Sequence, residues 1–139
     1  MTLFDTNVLI YAMDPTSPFH DWAARLIVDE AMKGDAVVNA VSVAEVCVGA
    51  EDPNVVVDDI LDWGIQMFDV PTDVVVPCAV AYRLYRQSRF RESGKPAPDV
   101  PLPDFFIGAH AMVMGWEIAT ADPGRFKTYF PDVPLLLPA

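Results

Sequence analysis

Basic residues are scarce in this sequence: nine Lys and Arg stand against twenty Asp and Glu in 139 residues, a net charge of −11. That balance counts against a chain that holds nucleic acid or an anionic membrane through its overall charge, so any polyanion would have to be met by a local basic cluster. Cysteine is nearly absent. Cys47 and Cys78 cannot make a disulfide framework, and both are expected as buried thiols of a reducing cytoplasm. The two histidines, His20 and His110, lack metal-ligand spacing with either cysteine, which argues against a zinc-type centre. No stretch reaches the roughly 18 uncharged apolar residues of a membrane span. The opening MTLFDTNVLIYAMD has no basic leader and carries Asp5 inside its apolar run, so it is not expected to be a signal peptide. Internal repeats and linker-like stretches are also missing, which predicts one domain over residues 1–139 in the cytoplasm.

Hydrophobic residues make up 53% of the chain, enough for one buried core. The run Thr2–Phe4 reads as a buried strand ending at Asp5. Ser17-Pro18 opens a helix carrying Trp22, Leu26, Ile27 and Ala31, ended by Gly34. A second strand over 36–40 leads to a helix expected to be capped by Ser42. A further helix is predicted over 54–63, with Asp58, Asp59 and Asp62 on its solvated side, and a third strand over 65–70. Thr72 is expected to cap a long helix with Val76, Ala79, Val80 and Leu84 inward and its arginines outward. Residues 94–103, GKPAPDVPLP, hold four prolines and read as a stiff extended loop. Asp104 opens another helix, followed by a fourth strand over 116–120, a helical turn over 125–130 and a last short strand over 133–137. Strands and helices alternate, so the predicted fold is α/β: an α/β/α sandwich around a mostly parallel sheet of four to five strands.

The charge is unevenly spread. Asp29 to Asp73 contains eleven acids and one base, Lys33, whereas Arg83 to Lys95 contains five bases (Arg83, Arg86, Arg89, Arg91, Lys95) and one acid, Glu92. The basic segment is the candidate contact for a polyanion, with an ordinary solvated helix face as its plain alternative.

Placing the acids on this outline singles out four. Asp5 ends the first strand. Glu45 follows the second strand, in what reads as the first turn of a helix. Asp104 opens the helix after the proline loop, and Asp122 follows the fourth strand in IATAD. All four map to carboxyl ends of strands or to the helix starts that follow them, where α/β sheets bind ligands. Each also has a structural role open to it. Glu45 would complete a capping box with Ser42, Asp104 would suit a helix N-terminus, Asp122-Pro123-Gly124 is a turn signal, and Asp5 could begin a turn with Asn7. As a group they would repel one another and raise their own pKa values unless a cation joined them; an all-oxygen donor set suits Mg²⁺ or Mn²⁺.

These residues resemble the motifs of the PIN-domain nucleases, and within them the VapC toxins. FDTNVLIYA is similar to the family's first-strand motif, Ser42-Val43-Ala44-Glu45-Val46 to its second-acid helix, and Pro103 through Ala111 to its third. Gly115 through Asp122, with Gly124-Arg125-Phe126 and Tyr129-Phe130-Pro131, is similar to the fourth and its tail. The order is kept over nearly the whole chain, with separations of 40, 59 and 18 residues between successive acids. Gly108 and His110 depart from the pattern, standing where small apolar residues are common. The resemblance implies an endoribonuclease in which Asp5, Glu45, Asp104 and Asp122 hold Mg²⁺ or Mn²⁺. Water is then the nucleophile, and the products carry 5′-phosphate and 3′-hydroxyl ends. Asn7, Ser42 and Thr120 would orient ligands or water around the acids, and Arg83, Arg86, Arg89, Arg91 and Lys95 would bind RNA. It implies a homodimer and a cognate antitoxin. The charge map adds that an Arg or Lys of that antitoxin could enter the acidic pocket, with surfaces around Trp22, Ile60 and Trp63 as candidate contacts and an ordinary core place as the plain alternative for both tryptophans.

Other functions are open at this point: an RNA-processing PIN nuclease outside a toxin pair, a non-catalytic RNA-binding PIN fold, or a receiver-type signalling domain. A receiver needs an acidic pair after its first strand and a Lys after its last; Asp5 stands alone and no Lys closes the final strand. A haloacid-type phosphatase needs Asp where Asn7 stands.

Overall fold

The structure, a computed structural model, describes residues 1–95 and 102–139. Five short strands, β1 (Thr2–Phe4), β2 (Ala36–Asn39), β3 (Gln66–Phe68), β4 (Glu117–Ala119) and β5 (Leu135–Leu136), form one sheet in the order β3-β2-β1-β4-β5. Every neighbouring pair is parallel. Among the described residues the helices are α1 (Thr6–Met13), α2 (His20–Met32), α3 (Ala40–Val48), α4 (Pro53–Asp62), α5 (Val75–Ser93), α6 (Leu102–Met114) and α7 (Gly124–Tyr129). No helix is long and apolar enough to cross a membrane among these residues.

The strands are apolar on both faces because helices cover both. Leu3, Val37 and Ile118 pack with Phe105, Ile107, Phe126 and Phe130 on the α5–α6–α7 side. Phe4, Ala36, Val38 and Ala119 point the other way, to Val8, Leu9, Ile27, Val43 and Ile60 of α1 to α4. The predicted sandwich is thus present, with its sheet wholly parallel. From β1 the chain steps outward to β2 and β3, then returns to the other side of β1 for β4 and β5. The order reverses between β1 and β4, the kind of switch point at whose strand carboxyl ends α/β sheets bind ligands. A flavodoxin-like receiver order, 2-1-3-4-5, is a different topology.

Several local expectations are corrected. α1 was not foreseen: the run after Asp5 is a helix, because the Asp5 side chain accepts from the Thr6 amide and caps it. α3 starts at Ala40 rather than after Ser42, because Asn39 takes the cap, its side chain accepting from the amides of Val41 and Ser42. Ser42 therefore lies inside the helix and Glu45 falls in its second turn, so there is no Ser42–Glu45 capping box. α2 begins at His20, and Thr72 opens a short 3₁₀ turn ahead of α5. On α5 the buried residues are Cys78, Ala81 and Tyr85, whereas Val76, Val80 and Leu84, predicted inward, are 69%, 43% and 50% exposed. The inward face is set by the aromatic ring of Phe105, against which Tyr85 packs. Ile60, weighed as surface, is wholly buried, and Cys47 is half-buried rather than buried. The proline-rich loop expected over 94–103 falls mainly on 96–101, outside the described residues. Of its ends, Gly94 closes α5 at φ 70°, and Leu102 and Pro103 belong to α6.

Candidate functional site

Four acids from four separate segments lie along the β1–β4 end of the sheet, near one another in pairs. Asp5 is placed by β1 and the start of α1. One carboxylate oxygen accepts from the Thr6 amide at 2.7 Å, and the other accepts the Thr120 hydroxyl at 2.8 Å. It is 5% exposed. Burial pushes its pKa up to about 7 from 3.8, the Thr120 and Thr6 hydrogen bonds pull it back, and the charges of Asp104 and Glu45 push it further up.

Glu45 lies exposed on α3, where its Oε1 accepts the Thr6 hydroxyl at 2.7 Å. Thr6 therefore touches both acids, its amide on Asp5 and its hydroxyl on Glu45. Asp104 lies in the first turn of α6. Burial raises its pKa, Arg125 works against that, and the charge of Asp122 adds to the rise. Asp122 is exposed in the turn after β4, and its amide donates to Thr120 Oγ1 at 3.0 Å. The charges of Glu45 and Asp104 thus add to the effect of burial on Asp5, and that of Asp122 adds to it on Asp104.

Thr120 is the hub of this edge. It donates to Asp5 and accepts from the Asp122 amide and from Asn7 Nδ2 at 3.4 Å, while Asn7 Oδ1 accepts from the Ala121 amide at 3.3 Å. Asn7 and Thr120 thereby tie the segments carrying Asp5 and Asp122. Ser42 does not join them: its hydroxyl donates to the carbonyl of Asn39, the cap of its own helix, at 3.2 Å.

Two residues at the site were not foreseen. Thr6 carried a visible signal, a hydroxyl directly after Asp5. Arg125 was noted only as part of a tail motif. Its Nη1 donates to Asp104 Oδ2 at 2.8 Å, and its guanidinium lies 5.8 Å from the centre of the Tyr85 ring. Among the described residues, no three His, Cys, Asp or Glu side chains stand together as a ready-made cation cage. Glu45 is turned to Thr6 and Asp104 to Arg125.

His110 lies away from the acids, wholly buried on α6, with Nδ1 3.1 Å from Asn39 Nδ2. Arg83, Arg86, Arg89, Arg91 and Lys95 are all exposed along α5 and its end. Arg83, Arg86 and Arg91 line a groove of about 1030 Å³ together with Tyr82, Phe90 and Phe106. None of the five contacts a site carboxylate. Trp63 lines a smaller pocket of about 260 Å³ with Ala12 and Val28; Trp22 is half-buried.

A family model described as PIN domain matches residues 2–130. Among solved structures, a FitAB complex bound to an IR36 DNA fragment is 25% identical, with a TM-score of 0.66 over 99% of this chain and 94% of that one. FitAcB from Neisseria gonorrhoeae is 23% identical, TM-score 0.62, over 98% and 96%. A toxin–antitoxin complex from Klebsiella pneumoniae is 21% identical, TM-score 0.55, over 91% and 90%. No curated protein matches the chain.

Proposed function

The chain belongs to the PIN domain family, and from that premise we propose that it is an Mg²⁺- or Mn²⁺-dependent endoribonuclease, the toxin of a toxin–antitoxin pair. PIN domains are nucleases. The observation that carries the reading is the repelling chain Glu45–Asp5–Asp104–Asp122 at the sheet's switch point, with Asp5 buried among the others. A structural role explains each acid singly. It does not explain why a fold would keep a buried carboxylate beside two more at the cost of an elevated pKa.

The donor set fits a hard divalent cation: it is all oxygen, and Asp5 and Asp104, raised first by burial and further by the neighbouring carboxylates, are held in the ionised form by such a charge. Asp5, Glu45, Asp104 and Asp122 would hold it, and when bound it supplies charge neutralisation at the phosphate and an acidified water. The chain's own residues do the positioning. Thr120 and the Thr6 amide hold the Asp5 carboxylate in one orientation, and the Thr6 hydroxyl does the same for Glu45. Asn7 fixes the backbone at Ala121, ahead of Asp122. The start of α6 beside Asp104 adds a helix terminus that favours phosphate. Arg83, Arg86, Arg89, Arg91 and Lys95 would hold flanking RNA phosphates. The acidic remainder of the surface would limit affinity away from them.

The toxin assignment draws on the complexes to which the fold is similar. A small antitoxin encoded next to this gene, offering an Arg or Lys to the carboxylates, is the expected inhibitor. Sequencing of RNA ends after induced expression tests the reading. Wild type should generate new 5′-phosphate ends and arrest growth, and Asp5→Asn should do neither. Equal cleavage by wild type and Asp5→Asn would overturn it.

A further inference from the structure

Among the described residues, one of the four carboxylates, Asp104, is paired with a cation, and that cation comes from within the chain. Arg125 is bonded to Asp104, yet its side chain remains 41% exposed and its guanidinium lies near the Tyr85 ring. A pair this open is weakly held, because water competes for both partners. The Tyr85 ring keeps the guanidinium at the site's edge when the bond to Asp104 opens, since a cation over an aromatic face is attracted to it. Asp104 is also one of the acids that would face a metal ion, so Arg125 and a divalent cation compete for the same carboxylate. Once displaced, the guanidinium would stay at the edge of the acidic site with its planar fork of donors free. That fork matches two phosphate oxygens.

We propose that Arg125 is an exchangeable internal counter-ion: it occupies Asp104 in the metal-free chain and passes to an RNA phosphate when a divalent cation takes that carboxylate. This rests on the nuclease reading and adds to it a substrate-binding residue that also sets metal affinity. The same residue offers an entry route for inhibition, because a foreign Arg placed on Asp104 would repeat a contact the chain already makes.

The test uses the full chain with Arg125→Gln, which removes the charge while keeping a polar side chain, and Arg125→Lys, which keeps the charge but not the fork. Calorimetric titration with Mn²⁺ alone, without RNA, reads the first half. Arg125→Gln should bind Mn²⁺ about fivefold more tightly than wild type, the return expected from removing a half-exposed competing pair, and Arg125→Lys should stay near wild type. Anisotropy of a labelled single-stranded oligoribonucleotide, with Ca²⁺ as the only divalent ion, reads the second half. Arg125→Gln should bind more weakly, and its salt dependence should flatten by about 0.7, the slope of one phosphate contact. Unchanged or weaker Mn²⁺ binding in Arg125→Gln overturns the exchange. Tighter Mn²⁺ binding with unchanged RNA binding and slope overturns the phosphate role. In either case the nuclease reading stands if the wild-type chain binds Mn²⁺ and cleaves RNA. A wild-type chain that does neither overturns both.

Discussion

At the scale of the residue, Asp5 concentrates the conflict between stability and chemistry. Its folded pKa of about 7 lies well above the ordinary 3.8. Between those values the folded chain keeps a proton that the unfolded chain releases, so metal-free stability is full near pH 4 and falls as the pH rises through 7. Three units correspond to on the order of 4 kcal/mol at most. Asp104, raised in the same direction, adds to the fall. Denaturant titrations in EDTA from pH 5 to 8 should show this decline, and Asp5→Asn should flatten it. At pH 8 without metal, Asp5→Asn should be more stable than wild type by about 2 kcal/mol. The gain stops short of the full figure because an amide offers one acceptor where the Thr6 amide and the Thr120 hydroxyl now use two. Millimolar Mg²⁺ should restore the wild type by about 2.7 kcal/mol at 100 times Kd and leave the variant nearly unmoved. A flat wild-type profile would show that Asp5 titrates normally. The four acids stand out in the sequence because a carboxylate in an apolar run, or at the end of one, has few cheap explanations. Thr6 and Arg125 were not singled out, because their roles are set by contacts across 39 and 21 residues that no local pattern records.

At the scale of the element, the junction of β2 and α3 decides where Glu45 stands. Asn39 Oδ1 caps α3 through the amides of Val41 and Ser42, and its Nδ2 donates to His110 Nδ1 on α6. One buried amide thus fixes the helix bearing Glu45 against the helix bearing Asp104. With Nδ1 accepting, the other ring nitrogen carries the proton, and His110 Nε2 has no partner among the described residues. Burial pushes the His110 pKa down, which keeps the ring neutral and the acceptor in place. Asn39→Ala removes the cap and leaves the histidine acceptor unsatisfied, so it should cost about 3 kcal/mol in chemical denaturation. A loss under about 1 kcal/mol would mean that water replaces the amide. The departure at Gly108 has an equally local cause: a Cβ there would enter the Phe130 ring. The order and type of most elements could be read from the sequence because apolar periodicity carries that information. The α1 helix could not, since an apolar run right after a three-residue strand reads as its continuation until the cap on Thr6 is seen. Asn39 beat Ser42 as the cap because its side chain also meets His110, a partner 71 residues away.

At the scale of the whole molecule, the alternation of strands and helices made the α/β class legible, but not how one long helix divides its faces. The α5 helix buries Cys78, Ala81 and Tyr85 and leaves the row Val76, Val80 and Leu84 uncovered. The pattern was apolar on both sides of the helix, so periodicity could not choose between them. An uncovered row of this kind on a chain of net charge −11 calls for a partner. The charges along the helix indicate which partner. Asp69 and Asp73 precede it, while Arg83, Arg86, Arg89 and Arg91 fill its second half. Two copies of α5 crossing antiparallel at Val80 would place each acidic start near the other's basic end and oppose the helix dipoles, whereas parallel packing would stack like charges. We propose a second copy of this chain as the occupant, because the charge pattern fits it and such a contact would be self-complementary, as two-fold symmetry requires. Size-exclusion chromatography with light scattering should give a dimer of the 15.3 kDa chain. Val80→Glu should give a folded monomer, because it places like charges at the crossing point on a residue that is 43% exposed. Raising the salt should loosen the wild-type dimer only modestly, since the apolar row remains. A monomeric wild type, or a Val80→Glu variant that stays dimeric, would assign the row to the antitoxin or to another partner.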